Sequence, residues 1–379
     1  MENNNFNKQQ SQQAPQQPQM YYQPQPMQIP YGYPSGNYMN QPQYQQPYPQ
    51  QYYVQPQAQP QQPREPRYPK NTYKSLSKEE KKKIFKSTYI DYTWVSLWLV
   101  LFTVITQGCA VLFATIFKNT SITNDYIVFA LLGTFVCMHL VATPATFFGS
   151  KIRRTQAPEP HRIGAGMMSI TYLFTLFCAF SGAIIGSILM MIIGNNNSQQ
   201  EVSQLATGGS FFLRLLVVCI SAPIIEELIF RKMIIDHLYK HGELAAILFS
   251  GIAFGAYHGN FAQFFLATFI GISNAYIYTR TGKIRYPIIL HMGVNLLTTV
   301  GTAQIYATGN MGLIGIWAML IFGAWIAGLV LFIVILCRKI HFKLHINQNF
   351  ASTLVPMFAN VFTILFFAYC VYQFVVSLS

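Results

Sequence analysis

Hydrophobic residues in this 379-residue chain occur in long uninterrupted runs, and those runs begin only after residue 90. A helix needs about 20 apolar residues to cross a bilayer, and it satisfies its own backbone hydrogen bonds where water is absent. The runs predict nine spans, at 93–117, 126–149, 165–193, 211–235, 244–258, 261–279, 286–303, 312–337 and 354–376. We therefore expect an all-α polytopic membrane protein with a transmembrane helical domain over residues 93–379.

The first 70 residues have a different composition, in which Gln, Pro, Tyr and Asn dominate and aliphatic residues are scarce. Such a segment buries too little apolar surface to offset the entropy lost on ordering. We expect residues 1–70 to be a disordered cytoplasmic tail with local polyproline II character. A partner that docks on its Pro/Gln-rich repeats is one interpretation, and a solvated low-complexity tail is the other.

Residues 71–92 form a basic segment between the tail and the first span. Its lysines include Lys78, Lys81, Lys82, Lys83 and Lys86. Lysines beside a span are attracted to anionic lipid headgroups on the cytoplasmic side. Because the segment abuts Trp94 and the first apolar run, we expect membrane lipids as its partner and no nucleic acid.

Charged residues in the loops predict the orientation of the chain. The loops predicted inside carry Lys151, Arg153, Arg154, Arg162, Arg280, Lys283, Arg285, Arg338, Lys339 and Lys343, whereas the segments 119–125, 195–210 and 304–310 contain no Lys or Arg. Basic residues favour the cytoplasmic side. The N-terminus is therefore predicted cytoplasmic and the C-terminus external.

Two carboxylates lie inside the predicted spans, Glu226 and Glu227. An acid at membrane depth costs several kcal/mol, which makes it a functional candidate. Arg231 is four residues after Glu227 and on the same helix face, while Glu226 points about 100° away. We expect Glu227 to pair with Arg231 and Glu226 to stay free. Pro223 removes a backbone hydrogen bond, so a kink that admits water beside Glu226 is expected.

Two further polar groups stand at membrane depth: His258 at the end of a short span, and His291 with Asn295 on one face of the seventh. Each has an ordinary interpretation, a capped helix end for the first and interhelical hydrogen bonds for the second. One free carboxylate, two imidazoles and an amide are together the groups that can activate a water and stabilise an oxyanion.

Three motifs carry these residues: EELIFR at 226–231, FGAYH at 254–258 and HMGVN at 291–295. In order, spacing and placement on apolar spans they resemble the motifs of the CPBP (Abi) family. That family comprises membrane proteases, among them the type II CAAX prenyl endopeptidases, and bacteriocin-processing or immunity proteins. The resemblance covers a catalytic core of about residues 165–303 and leaves out the tail and the last two spans.

The resemblance implies a role for each matched residue. It implies that Glu226 activates a water, that His258 orients or deprotonates it, that His291 and Asn295 form an oxyanion hole, and that Glu227 and Arg231 support them. It also implies an intramembrane endopeptidase that hydrolyses a peptide bond of a membrane-associated or lipidated substrate, without a covalent acyl-enzyme.

The cofactor stays open at this point. Glu226, His258 and His291 are a donor set that Zn²⁺ accepts with one open position, as a metalloprotease would require. HExxH is absent from the chain, however, and the same residues suit a glutamate base that needs no ion. We favour the metal-free glutamate mechanism.

Two other functions fit the same residues. A non-catalytic membrane scaffold or bacteriocin-immunity protein would keep the motifs and act by binding. A proton-coupled transporter would use Glu226 as a proton carrier, but the sequence lacks inverted repeats with paired broken helices. The six cysteines are scattered one to a span, which indicates neither a disulfide framework nor a thiolate metal site.

Overall fold

The computed structural model describes residues 75–118, 120, 125–153, 156–194, 210–337 and 350–378. The tail predicted to be disordered, residues 1–70, lies outside the described residues, as do Arg154, Arg338, Lys339 and Lys343. Within the described ranges the regular structure is helical and contains no strand. The all-α polytopic membrane architecture expected from the hydrophobic pattern is confirmed.

The described residues form ten helices, if consecutive α and π segments are joined. They are α1 Lys78–Phe117, α2 Tyr126–Ser150, α3 Ala165–Ile193, α4 211–238, α5 Glu243–Tyr257, α6 Phe261–Thr281, α7 Arg285–Ala307, α8 Met311–Cys337, α9 Phe350–Phe358 and α10 Val361–Leu378. The π segments are Phe135–Ala142 in α2, Leu215–Ser221 and Glu227–Met233 in α4, and Leu296–Gly301 in α7.

Seven helices of the described residues are long and apolar enough to cross a membrane: α1, α2, α3, α6, α7, α8 and α10. The predicted spans 211–235 and 244–258 correspond to α4, which carries several charges, and to α5, which has only 15 residues. Nine spans are therefore not confirmed. The predicted span 354–376 is divided into α9 and α10, because Asn360 caps α10 by accepting from the Thr363 backbone N–H at 2.9 Å.

The first helix begins well before its predicted span. Ser77 and Glu80 form a capping box in which each side chain accepts from the other's backbone N–H. This arrangement satisfies two of the backbone donors at a helix start. The basic lysines of the segment 71–92 that follow Ser77 are consequently part of the helix that continues into the membrane.

Close helix contacts hold the bundle around α4. At Gly182 on α3, a Cβ would lie 2.5 Å from the Phe265 carbonyl oxygen of α6, so only glycine permits this approach. Small residues serve this purpose where water cannot drive helices together. On the other side, α1, α4, α5 and α10 share a core whose largest members include Tyr92, Phe230 and Phe249, all fully buried.

A buried acid closes one end of the bundle. Asp91 on α1 is 1% exposed, and it is paired with Arg153 after α2, Lys240 after α4 and His241 after α4. Lys240 Nζ and His241 Nε2 both lie 2.7 Å from Asp91 Oδ2. We refer to these four residues as the Asp91 cluster. It ties the end of α4 to α1, and so fixes the helix that carries Glu226.

Candidate active site

The bend in α4 has a partner on α7. The backbone N–H of Ala222 bonds to the Val217 carbonyl, five residues back, as in a π-helix. In that pattern the donor for Val218 would be Pro223, which has no N–H. Asn295 Nδ2 donates to the Val218 carbonyl instead, at 2.9 Å. The amide of Asn295 therefore replaces the hydrogen bond that proline removes, and it fastens α7 to the bend.

Glu227 is the centre of a buried hydrogen-bond network. Its side chain is fully buried, and its Oε2 lies 3.0 Å from Arg231 Nε. Its Oε1 accepts from His291 Nδ1 at 2.9 Å and from Asn274 Nδ2 at 3.0 Å. A buried carboxylate requires such partners, since an unpaired one is very costly. Three helices, α4, α6 and α7, thus meet at one side chain.

His291 has its ring orientation fixed by Glu227. An ionised carboxylate can only accept, so Nδ1 of His291 carries a hydrogen. The other nitrogen, Nε2, faces Glu226 Oε2 at 3.7 Å. When the ring is neutral, Nε2 therefore presents a lone pair toward Glu226. When the ring is protonated, the carboxylate of Glu227 stabilises the charge.

Glu226 differs from its neighbour in having no hydrogen bond from any residue that the structure describes. Its side chain is 14% exposed, and the 3.7 Å to His291 is longer than a hydrogen bond. Both oxygens can therefore accept a proton or a hydrogen bond from a bound molecule.

His258 presents its second nitrogen in the same way as His291. Its Nδ1 lies 2.9 Å from the Phe254 carbonyl, which can only accept, so Nδ1 is the donor. In the neutral ring Nε2 is then unprotonated. His258 also lies within electrostatic range of Glu226, His291 and Arg231. The two imidazoles and the free acid thus belong to one site.

Phe254, to which the sequence analysis gave no role, separates the polar groups. The Arg231 guanidinium stacks over its ring at 4.2 Å, a favourable cation–π arrangement. The rings of His258 and His291 pack against it edge to face, with centroids at 4.9 Å and 5.8 Å. Phe254 is 1% exposed. It keeps the two imidazoles apart and covers the arginine.

Five of the six residues singled out by the sequence meet here: Glu226, Glu227, Arg231, His258 and His291. The sixth, Asn295, is four residues after His291 on α7 and bonds to the bend of α4. The fit to Zn²⁺ is poor, because no three His, Cys, Asp or Glu side chains of the described part are grouped to hold an ion. The Nδ1 atoms of both site histidines are bonded, to Phe254 and to Glu227, and the Nε2 atoms are the ones left for a ligand.

Comparison with known proteins points to the same part of the chain. The family model described as type II CAAX prenyl endopeptidase Rce1-like matches residues 208–297, which contain all six site residues. A protein of Bacillus subtilis (strain 168), named "Putative membrane peptidase YdiL", is 37% identical over 89 residues. That match covers 23% of this chain and 36% of the Bacillus protein, little more than a third of its length. No solved structure matches the chain.

Proposed function

We propose that this chain, whose residues 208–297 belong to the Rce1-like family of type II CAAX prenyl endopeptidases, is an intramembrane endopeptidase. One observation carries the proposal: the two adjacent acids on α4 have different hydrogen-bond partners. Glu227 has three polar partners, whereas Glu226 accepts no hydrogen bond from a described residue and faces His291 Nε2 at 3.7 Å. An acid left free at membrane depth favours a catalytic role.

Glu226 is the general base of the proposed reaction. It takes one proton from a water as the water oxygen bonds to the carbonyl carbon of the scissile peptide. His258 Nε2 accepts a hydrogen bond from the second hydrogen of that water, which stays on the oxygen, and so orients the attack. General-base catalysis of this kind contributes about 10²–10⁴-fold to the rate.

The oxyanion formed by this attack faces two donors. Asn295 uses one amide hydrogen on Val218 and has a second for the oxyanion. His291 donates from Nε2 when its ring is protonated, with Glu227 as the counter-ion. The carbon–nitrogen bond then breaks as Glu226 passes its proton to the leaving nitrogen. The products are a new carboxyl group and a new amine, and no acyl-enzyme forms.

We assign no step of this reaction to a metal ion. The lack of any three grouped His, Cys, Asp or Glu side chains in the described part of the chain supports a glutamate base alone. Metal analysis of purified protein, combined with cleavage in the presence of chelators, tests the assignment. Stoichiometric zinc whose removal abolishes cleavage would contradict it.

The substrate class we propose is a membrane-associated or lipidated polypeptide. The site lies on helices within an apolar bundle, so a substrate must enter from the membrane or its surface. The name of the matching family supports a prenylated chain end as the first probe. The basic start of α1 would attract anionic lipid, and residues 1–70 would offer a docking segment for a partner.

We further propose that the N-terminus and the Asp91 cluster face the cytoplasm and that the C-terminus is external. The excess of Lys and Arg at that end of the bundle supports this orientation. Arg285→Cys and Thr308→Cys variants place exposed thiols at opposite ends of α7. Membrane-impermeant maleimide added to intact cells should label position 308 only. Labelling at position 285 alone would contradict the orientation.

Comparative peptidomics tests the function and identifies the substrate together. Membranes containing the wild-type chain should release peptides, or show new chain ends, that are missing with Glu226→Gln. This variant keeps the shape of the side chain and removes the base. If both membranes give the same peptides, the chain does not cleave them through Glu226, and a non-catalytic scaffold or immunity role is favoured.

A further inference from the structure

Asn274 is a buried polar residue of α6 that belongs to none of the three sequence motifs. It is fully buried, and its Nδ2 lies 3.0 Å from Glu227 Oε1 and 3.4 Å from the Pro287 carbonyl. Both partners can only accept. The amide is therefore oriented with its nitrogen toward them, since the reversed amide would bring three acceptor oxygens together.

The other end of this amide is unsatisfied. Asn274 Oδ1 is buried and has no hydrogen-bond partner among the described residues. A buried amide that leaves its oxygen unpaired costs free energy, and an apolar residue of similar size would avoid that cost. The hydrogen bond that Asn274 donates to Glu227 is therefore its contribution at this position.

Asn274 and His291 donate to the same oxygen of Glu227. Arg231 Nε lies 3.0 Å from the other oxygen as an ion pair, so both oxygens of the carboxylate have a partner. With the carboxylate fixed, the His291 ring must place Nδ1 on Oε1 and turn Nε2 toward Glu226. Partners of this kind set both the ring orientation and the tautomer of a functional histidine.

We propose that Asn274 is a positioning residue for the catalytic histidine: through Glu227 it keeps the His291 proton on Nδ1 and directs Nε2 at Glu226. This inference rests on the proposed function for its effect on cleavage. The orientation of the His291 ring is independent of any substrate and can be measured by itself.

The kinetic test uses Asn274→Leu and Asn274→Asp in proteoliposomes, with a farnesylated, internally quenched peptide ending in a CAAX sequence as the probe. Loss of a hydrogen bond to a charged group should lower kcat about 10- to 100-fold in Asn274→Leu, with KM little changed. In Asn274→Asp, a protonated carboxyl group can donate as the amide does. The ratio of its kcat to the wild-type kcat should therefore rise as the pH falls.

Ser273→Ala is the matched control. Ser273 is the neighbour of Asn274 on α6, is 3% exposed, and bonds to Thr175 at 3.1 Å instead of Glu227. This variant should keep the wild-type kcat and pH profile. If Ser273→Ala and Asn274→Leu lower kcat equally, the effect comes from general packing and the proposal is overturned.

Nitrogen-15 NMR of protein labelled at histidine supplies the readout that needs no substrate. The signals of His291 are assigned by their loss in His291→Gln. In the wild type they should show the hydrogen on Nδ1, and in Asn274→Leu they should move toward exchange between the two tautomers. Unchanged His291 signals overturn the proposal, whether or not the wild type cleaves the peptide. If Asn274→Leu does not fold, the same spectra of Asn274→Ala decide, and unchanged His291 signals there overturn the proposal.

Discussion

Two carboxylates at different places in the bundle, the buried Asp91 and the partly exposed Glu226, have opposite hydrogen-bonding environments. Asp91 is 1% exposed and is paired with Arg153, Lys240 and His241, which come from two different connecting segments. Glu226 on α4 has a 14% exposed side chain and accepts no hydrogen bond from a described residue. The less buried of the two acids is the one without a hydrogen-bond partner among the described residues.

The number of hydrogen-bond and ion-pair partners separates polar residues that stabilise the fold from those available for catalysis. Buried polar groups that stabilise a fold are satisfied, because each unsatisfied one costs free energy. A general base must keep an oxygen available for the proton that it takes. Glu227, beside Glu226, resembles Asp91, since its Oε1 accepts from His291 and Asn274 and its Oε2 forms an ion pair with Arg231.

The largest expected effect comes from comparing two histidines that each contact an acid. His291 bonds to Glu227, and His241 bonds to Asp91. His291→Gln should lower cleavage of the farnesylated probe about 10²–10⁴-fold, since it removes a group that handles charge in the reaction. His241→Gln should reduce thermal stability and leave kcat unchanged. Equal losses of cleavage in the two variants would remove the distinction between the regions.

The next effect concerns two arginines with unequal burial. Arg231 is fully buried beside Glu227, whereas the side chain of Arg153 is 37% exposed beside Asp91. Arg231→Met leaves a charge buried without its partner and should cost about 3–5 kcal/mol of stability. Arg153→Met should cost at most about 1 kcal/mol, because solvent screens the pair. Unfolding of both variants in SDS measures the difference, and a larger loss for Arg153→Met would contradict it.

The smallest effect on stability is expected from removing a hydrogen bond between the two membrane helices α1 and α10. Ser96 Oγ on α1 and Thr363 Oγ1 on α10 lie 2.6 Å apart, both buried. Such bonds contribute on average about 0.6 kcal/mol, so Ser96→Ala should change stability slightly and cleavage not at all. The same SDS unfolding and peptide assays apply. A loss of cleavage here would show that α10 acts on the site.

Local spacing made much of the site predictable. Glu227 and Arg231 are four residues apart, so a helix places them together, and the same spacing sets Glu226 on another face. Pro223 signalled a disturbed helix, although the identity of the replacement donor, Asn295, depends on how α7 packs. Contacts within one helix follow from sequence, and contacts between helices require the fold.

Asn274 and Phe254 show where the sequence was insufficient. Asn274 bonds to a residue 47 positions away, and nothing around it in the sequence marks it as a donor. Phe254 was one aromatic residue among 30 phenylalanines, and its contacts to Arg231 and two histidines arise from packing.

Helix ends were predictable in part and were missed. Ser77 and Glu80 have the spacing of a capping box, and Asn360 stands directly before the apolar run of α10, as an N-cap residue does. Hydrophobicity alone gave a first span that begins at residue 93 and a last span that runs through Asn360. Capping residues, whether they lie before an apolar run or within it, therefore locate helix ends that hydrophobicity alone does not.

One paired measurement tests the contrast between Glu226 and Asp91 most directly. Glu226→Gln and Asp91→Asn are isosteric changes of the open acid and the saturated acid, and both are compared with the wild type in the same proteoliposomes. We expect Glu226→Gln to lose cleavage of the farnesylated peptide and keep its thermal stability. We expect Asp91→Asn to lose stability and keep the kcat of the folded protein. Cleavage that persists in Glu226→Gln would contradict the account.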